Sequence, residues 1–167
     1  LTQIDLAVPA GGFVLVCGPS GSGKSTLLKH MKSSQIPFGK GTGELLFKGK
    51  DLETMELGES ARSIGFVGQN PDNQIVTDTV WHELAFGLEN LGVPVEEIRK
   101  RTAETAQYFG MTEWFRQPVE ALSGGQKQML NLASVMVMQP EVLILDEPTA
   151  QMDPIGARRF FHTLKGL

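Results

Sequence analysis

The sequence has 167 residues with a single cysteine, no long apolar run and no excess of basic residues. Because Cys17 has no second cysteine to pair with, a disulfide framework is excluded, and a reducing cytoplasm is the expected setting. A transmembrane helix needs about 20 consecutive apolar residues, whereas the apolar stretches here have the length of strands. Fifteen Lys and Arg stand against 19 Asp and Glu, a net charge of −4. This balance argues against nucleic-acid binding through general basicity.

The remaining expectation for this sequence is a folded globular domain. Hydrophobic residues make up 41% of the sequence, enough to bury a core, and one domain over 1–167 is predicted. The N-terminal residues lack the basic region followed by an apolar region that marks an export signal. Any association with a membrane is therefore expected to be peripheral and made through partners.

Short apolar runs alternate with helical patterns along the chain. The predicted strands are 13–17, 63–68 and 142–145, and the predicted helices are 25–33, 79–91, 94–109, 123–138 and 154 onward. The Lys48-Gly49-Lys50 turn after 44–47 indicates a small antiparallel β addition. Little strand pattern occurs between 71 and 122. We therefore predict an α/β core made of 1–70 and 123–167, with 71–122 as an inserted α-helical subdomain.

A glycine-rich loop follows the first apolar run. Its phosphate-binding residues are Gly18, Pro19, Ser20, Gly21, Ser22, Gly23, Lys24, Ser25 and Thr26. The glycines let backbone N–H groups turn toward phosphate oxygens, and the next helix presents its positive end to the same anion. Lys24 can reach the outer phosphates, and the Ser25 hydroxyl can bind Mg²⁺. An apolar strand before the loop and a helix after it are the context that a P-loop requires.

Two carboxylates end the apolar run 142–145. Asp146 and Glu147 are costly at the end of a buried strand unless a cation or a reaction uses them. Asp146 is predicted to hold the Mg²⁺ shell, and Glu147 to polarise the attacking water. Taken alone, the pair could be solvated acids at an ordinary strand end, but the P-loop makes that alternative weak.

A third motif lies between these two, and it carries a family resemblance. The segment is Leu122-Ser123-Gly124-Gly125-Gln126-Lys127-Gln128. Leu-Ser-Gly-Gly-Gln ahead of a helix resembles the signature of ABC transporter ATPases, whereas a plain Ser N-cap followed by glycines is the structural alternative. The resemblance implies a P-loop NTPase fold that binds and hydrolyses ATP with Mg²⁺.

The resemblance also implies roles for further residues. Ser123, Gly124, Gly125 and Gln126 would contact the γ-phosphate of ATP held by a second ATPase subunit or a tandem ATPase domain. Gln69 matches the Q-loop residue, which senses the metal and the γ-phosphate and faces the membrane partner. Asp153 matches the D-loop residue at the subunit interface. Catalysis would then rest on Glu147, Gln69 and Lys24, and the metal on Ser25, Gln69 and Asp146.

Two stretches narrow the resemblance to one branch. Residues 69–76, Gln-Asn-Pro-Asp-Asn-Gln-Ile-Val, and 85–92, Ala-Phe-Gly-Leu-Glu-Asn-Leu-Gly, resemble the ATPases of energy-coupling-factor (ECF) importers. These take up vitamins or transition-metal ions through a transmembrane coupling protein and a substrate-capture membrane protein. The resemblance therefore implies a peripheral subunit on the cytoplasmic face of the membrane, without nucleic acid as a partner.

The chain departs from the family pattern in a few places. Met129 stands where Arg is common, and Asn131 stands where a small or apolar residue is usual. The adenine-stacking aromatic residue and the switch His are expected outside 1–167, so the chain is interpreted as a fragment truncated at both ends, with weak activity alone. Trp81, Phe86, Leu84 and Leu88 either face a membrane partner or pack the helical subdomain.

Other functions stay open at this stage. Another ABC transporter, or a non-transport ABC protein of the translation type, would share the same motifs. The DNA-repair branch is disfavoured because 26–122 lacks sustained heptads. A nucleotide-sensing module without hydrolysis is a further class, against which Glu147 argues. The transported compound cannot be read from an ATPase that never contacts it.

Overall fold

The computed structural model describes residues 1–39 and 41–166, which fall into two compact units that divide after Leu57. In the first unit, helix α1 spans Lys24–His30. Strands β1 (Leu46–Phe47) and β2 (Lys50–Asp51) pair antiparallel. Lys48 and Gly49, at φ 52° and 80°, form the two-residue turn with positive φ that suits the twist of a hairpin. The predicted antiparallel addition is confirmed.

The prediction of a buried strand at 13–17 was wrong. The structure assigns no strand there, and Phe13 and Leu15 are 84% and 74% exposed. A strand is stable only where a neighbour accepts its backbone hydrogen bonds. The two strands described in this unit, β1 and β2, pair with each other. The segment 13–17 therefore has the composition of a strand but lacks a strand to pair with among the described residues.

The second unit contains a two-stranded parallel sheet. Strand β3 spans Ile64–Val67 and β4 spans Val142–Leu145, with Ile64 opposite Val142 and Val67 opposite Leu145. Both strands were predicted within a residue or two. Because parallel strands run in one direction, the residues that follow Val67 and Leu145 emerge at the same edge of the sheet. That edge carries the predicted catalytic residues of this unit.

Helices surround this sheet. They are α2 (Leu57–Ser63, which begins at the division between the units), α3 (Val80–Asn90), α4 (Val95–Tyr108), α5 (Gly124–Met136) and α6 (Pro154–Lys165). The last four confirm predicted helices. Helix α2 was not predicted, because its Gly58, Ser60 and Ser63 are weak helix formers. The assignment of 71–122 to a separate helical subdomain stays a prediction.

The core of the second unit forms where α5 packs on β3 and α3. Gly65 in β3 is required there, because a Cβ at this position would meet the Val135 side chain and lie 3.0 Å from Pro140 Cγ. Leu84 and Leu88 of α3 are fully buried, so for them the core interpretation is correct. Trp81 and Phe86 of the same helix remain 38% and 42% exposed. No helix among the described residues is long and apolar enough to span a membrane.

Candidate functional site

The P-loop lies in the first unit and has the backbone that its glycines predict. Gly21 and Gly23 have φ of 78° and 95°, and Gly23 is the N-cap of α1. Side chains rarely adopt this left-handed region, so glycine is required at both positions. A Cβ at Gly18 would lie 3.0 Å from Ser22 Oγ, so the loop is also tight at its start. Nothing lies within 4 Å of a Cβ placed on Gly21, which leaves its face open to a ligand.

The Lys24 side chain folds back over this loop. Its Nζ donates hydrogen bonds to the carbonyl oxygens of Gly18 (3.0 Å) and Pro19 (2.9 Å). The ammonium therefore lies on the glycine-rich loop rather than in solvent. Its two carbonyl partners are neutral, so a phosphate would offer this cation stronger, charge-assisted hydrogen bonds. The loop fits an anion with several oxygens.

In the second unit, the common edge of β3 and β4 brings Gln69 to Glu147. The backbone bond from the Asp146 N–H to the Val67 carbonyl (2.8 Å) continues the strand pairing past Leu145. Beyond it, Gln69 Nε2 donates to Glu147 Oε2 at 3.3 Å. The Gln69 amide oxygen keeps its acceptor capacity, which a metal ion could use. Two residues that are 78 positions apart in the sequence thus meet in the structure, and their catalytic roles stay predictions.

Asp146 and Glu147 differ in their surroundings. Asp146 is 6% exposed, whereas Glu147 is exposed and has φ 47°. The left-handed conformation costs a residue with a side chain about 1–2 kcal/mol. Such conformations concentrate at functional sites, where the surrounding structure holds them. No local signal predicts this conformation, because Asp-Glu-Pro does not specify positive φ.

The signature segment opens helix α5. Ser123 Oγ accepts from the Gln126 N–H (3.3 Å), and Gln126 Oε1 accepts from the Ser123 N–H (2.9 Å), which is a capping box. The Ser N-cap that is the structural alternative for this motif is therefore present. It does not exclude ligand binding, since the Ser123 hydroxyl can still donate its own proton. A Cβ on Gly124 would meet only Gln151 O, at 3.8 Å, and one on Gly125 would meet nothing within 4 Å.

Asp153 is the N-cap of α6. Its Oδ1 accepts from the backbone N–H groups of Ile155 (2.9 Å) and Gly156 (2.7 Å). This role is structural and is worth about 1 kcal/mol of helix stability. A role for Asp153 at a subunit interface stays a prediction, and substitutions there would also loosen α6.

The predicted site residues thus belong to both units. The P-loop residues lie in the first, and Gln69, Asp146, Glu147, the signature and Asp153 lie in the second. The proposed metal ligands (the Ser25 hydroxyl, the Gln69 amide oxygen and the Asp146 carboxylate) are all oxygen donors, the set that Mg²⁺ prefers. In the described parts of the chain, no three His, Cys, Asp or Glu side chains cluster as metal ligands. The oxygen chemistry of these ligands suits Mg²⁺, and a magnesium site formed by them stays a prediction.

Three residues important for this region were not found from the sequence. Glu83 is buried in α3 at 5% exposure, and Gln128 and Asn131 are buried in α5 at 1% and 2%. The helical period could have found Glu83, because its position shares a helix face with Val80, Leu84 and Leu88, which are apolar and buried. For Asn131, the only signal was its departure from the family pattern.

Comparison with known proteins identifies the class and then the family. The fold aligns with an ATP-binding cassette, MJ0796, solved as a dimer in a post-hydrolysis state bound to ADP and Pi. The TM-score is 0.82 at 26% identity, covering 99% of this chain and 73% of that one. The family model described as "ABC transporter" matches residues 1–150. The chain belongs to the ABC transporter family and has the P-loop NTPase fold of its ATPases.

Several relatives are more similar to this chain in sequence than MJ0796 is. An ABC transporter ATP-binding protein of Bacillus cereus is 53% identical over 99% of this chain, which spans 30% of that protein. The energy-coupling factor transporter ATP-binding protein EcfA1 of Caldanaerobacter subterraneus is 45% identical over the whole chain, which spans 60% of it. The structure of cbiO1 from Clostridium perfringens, part of the ABC transporter complex cbiONQ, aligns with a TM-score of 0.75 and 38% identity, over 88% of this chain and 58% of cbiO1. The chain thus spans between 30% and 60% of the length of these three proteins.

Proposed function

We propose that the protein to which this chain belongs binds and hydrolyses ATP to power an ECF-type importer of vitamins or transition-metal ions. The observation that carries the proposal is the contact of Gln69 with Glu147 at the sheet edge, in a chain with a P-loop and a signature motif. Similarity to EcfA1 and to cbiO1 supports the ECF branch. The protein would lie at the cytoplasmic face of the membrane as a peripheral subunit.

Each proposed site residue has its own role in ATP binding or hydrolysis. Lys24 exchanges its two carbonyl partners for β- and γ-phosphate oxygens, and the P-loop N–H groups hold the same phosphates. Glu147 accepts a proton from the attacking water, and Gln69, bonded to Glu147, orients that carboxylate. Bound Mg²⁺ would neutralise developing charge on the phosphates, with Ser25, Gln69 and Asp146 as its protein ligands.

The active unit would be a head-to-tail dimer, or a tandem pair within a longer chain. Ser123, Gly124 and Gly125 of one ATPase domain would close over the γ-phosphate held by the other. The open space beside Gly124 and Gly125 supports this arrangement. A relative of which this chain spans only 30% has room for a second domain, which favours the tandem form.

The hydrolysis half of the proposal is tested by Glu147→Gln in the full-length protein. The amide keeps the shape of the side chain but loses the basic oxygen, so ATP should bind normally while turnover falls at least about 100-fold. The matched control is Glu141→Gln, the same change just before the other end of β4, which should leave turnover unchanged. Calorimetry and phosphate release measure the two quantities. Normal turnover by Glu147→Gln would remove this residue from the mechanism.

The transport half is tested on the exposed aromatic residues of α3. Phe86→Glu adds charge at a side chain of α3 that is 42% exposed. It should abolish copurification of full-length protein with a polytopic membrane subunit while ATPase activity persists. Val95→Glu changes an exposed apolar residue of α4 (62% exposed) as the control. Copurification with ribosomes instead would favour the non-transport alternative.

A further inference from the structure

The loop that carries Gln69 is held by side-chain amides at its first residue. The Gly68 N–H donates to Gln74 Oε1 (2.5 Å), and Gln128 Nε2 donates to the Gly68 carbonyl (2.9 Å). Gln74 Nε2 in turn donates to the Phe66 carbonyl in β3 (3.1 Å). A Cβ on Gly68 would lie 3.0 Å from Gln74 Oε1, so the Gln74 amide is seated directly against the backbone. Both polar groups of the residue before Gln69 are therefore fixed.

Helix α5 completes this network from the other side. Asn131 Nδ2 donates to the same Gln74 Oε1 at 2.9 Å. Gln128 and Asn131 are three residues apart, so they lie on one face of α5. Lys127 extends this face with an ion pair to Asp72 at 2.7 Å. Three side chains of one helix thus hold the start, middle and end of the segment 68–74.

Buried amides are an unusual choice for this helix face. Gln128 and Asn131 are 1% and 2% exposed, among Met129, Leu130 and Leu132, which are also buried. An aliphatic side chain would pack here without any need for hydrogen bonds, whereas a buried amide costs free energy unless it is bonded. Gln128 Nε2 and Asn131 Nδ2 are both bonded to the segment 68–74, whereas Gln128 Oε1 is buried without a partner among the described residues. The two amides therefore act on the Gly68–Gln74 segment rather than on the core.

We propose that Asn131 is a positioning residue that acts through Gln74 and Gly68 to hold the Gln69 amide beside Glu147. Since Asn131 lies on the helix that Ser123 caps, the same bond ties the Gln69 loop to the signature segment of its own chain. The two then shift as one piece when α5 moves. This inference rests on the proposed ATPase function, because it assigns Gln69 a part in hydrolysis.

The first test measures the protection of the Gln69 loop from hydrogen exchange, which does not depend on ATPase activity. Asn131→Ala in the full-length protein removes one donor to Gln74, so hydrogen exchange of the Gly68 and Gln69 amides should accelerate about five- to tenfold. Ser134→Ala is the matched control, because Ser134 Oγ donates to the Asn131 carbonyl (3.1 Å) within the same helix rather than to the segment 68–74. Unchanged exchange at 68–69 in Asn131→Ala, or equal acceleration in Ser134→Ala, would overturn the proposal.

The second test uses ATP hydrolysis by the same proteins. Asn131→Ala should lower kcat about five- to tenfold with little change in the KM for ATP, and should raise the Mg²⁺ concentration needed for half-maximal rate. Asn131→Leu keeps the branched shape of the side chain without its amide, and should show the same defect. In a Gln69→Ala background, Asn131→Ala should have no further effect on kcat, since both act on one group. A general loss of folding would instead add to the Gln69→Ala defect.

The outcomes separate this inference from the function on which it rests. Wild-type full-length protein that binds ATP without hydrolysing it would overturn both. Active wild-type protein with additive losses in the double variant, or with wild-type kinetics in Asn131→Leu, would overturn the positioning role alone. In that case Asn131 would be a structural residue of α5 and the ATPase assignment would stand.

Discussion

The buried carboxylate of Glu83 should be the strongest single polar contributor to the stability of the second unit. One oxygen, Oε2, accepts three hydrogen bonds: from the N–H groups of Val76 (3.1 Å) and Thr77 (3.0 Å) and from Thr77 Oγ1 (3.0 Å). Glu83 is 5% exposed, so its carboxylate is shielded from solvent in the folded protein. The segment 76–77 joins the Gln69 loop to α3, which makes Glu83 the clamp between them.

The size of the effect follows from these contacts. A hydrogen bond to a charged group contributes about 1.5–3 kcal/mol, and buried donors left without a partner add a penalty of about 1–3 kcal/mol. Because the three bonds share one oxygen they do not add fully, and Glu83→Ala should cost about 3–5 kcal/mol. Glu83→Gln keeps an acceptor of the same shape, so it should cost only about 1–2 kcal/mol. The free energy of unfolding should therefore rise from Glu83→Ala to Glu83→Gln to the wild type.

Hydrogen exchange of peptides over 76–90 in the full-length protein measures these differences. A loss of about 3 kcal/mol corresponds to at least a 100-fold acceleration when local opening limits exchange. Glu89→Ala, at an exposed acidic position of the same helix, should change exchange by no more than a few fold. Equal protection in Glu83→Ala and Glu89→Ala would show that the Glu83 contacts do not hold 76–77. An effect of Glu83→Gln as large as that of Glu83→Ala would show that a neutral acceptor of the same shape cannot replace the carboxylate, which would contradict the predicted order.

Two further predictions concern the P-loop and a strained turn. Lys24→Ala should abolish ATP affinity in the full-length protein, because a neutral side chain cannot replace the cation that folds over Gly18 and Pro19. Calorimetry compares this variant with Lys29→Ala, a control in the last turn of α1. Unchanged ATP affinity in Lys24→Ala would contradict the P-loop role. Gln139, at φ 57° after α5, should tolerate glycine, with Gln139→Gly raising the free energy of unfolding by about 0.5–1 kcal/mol. Ala103→Gly, in the exposed middle of α4, should lower it by about 1 kcal/mol, and a decrease in both variants would refute the strain at Gln139.

Local signals in the sequence predicted the elements of the second unit well. Helix α5 begins where Ser123 and Gln126 stand at capping-box spacing, and both partners of that motif lie within four residues. Strand β4 coincides with a continuous apolar run that two carboxylates end. The parallel pairing with β3 then brings Gln69 to Glu147, a contact that neither motif specified by itself.

The sequence could not predict features that depend on distant partners. The run 13–17 has a strand composition, but its state depends on a neighbouring strand that composition does not reveal. The Asn131 contact with Gln74 joins residues 57 positions apart, and Asn alone on a helix indicates neither burial nor a partner. The left-handed φ of Glu147 is likewise set by its surroundings, since no local residue requires it. These positions are where tertiary structure overrides local propensity.

The composite site can be tested by a charge at Gly124, because this position tolerates a side chain in the isolated chain. A Cβ there meets only Gln151 O at 3.8 Å, and an acid in the first turn of α5 is favourable to the helix by about 0.3–1 kcal/mol. Gly124→Asp should therefore fold and bind ATP as the wild type does.

In the proposed dimer, that carboxylate would face a γ-phosphate. Two like charges about 4 Å apart repel by about 4 kcal/mol at an effective dielectric constant near 20, enough to weaken closure about 1,000-fold. Gly124→Asn adds nearly the same shape without the charge and should retain much of the ATP-dependent association. Sedimentation of full-length protein with ATP, combined with rates measured across enzyme concentrations, separates the possibilities. Full activity of Gly124→Asp, with strict first-order dependence on enzyme in a monomeric sample, would refute the composite site, because a carboxylate cannot sit against a phosphate that another subunit must close upon.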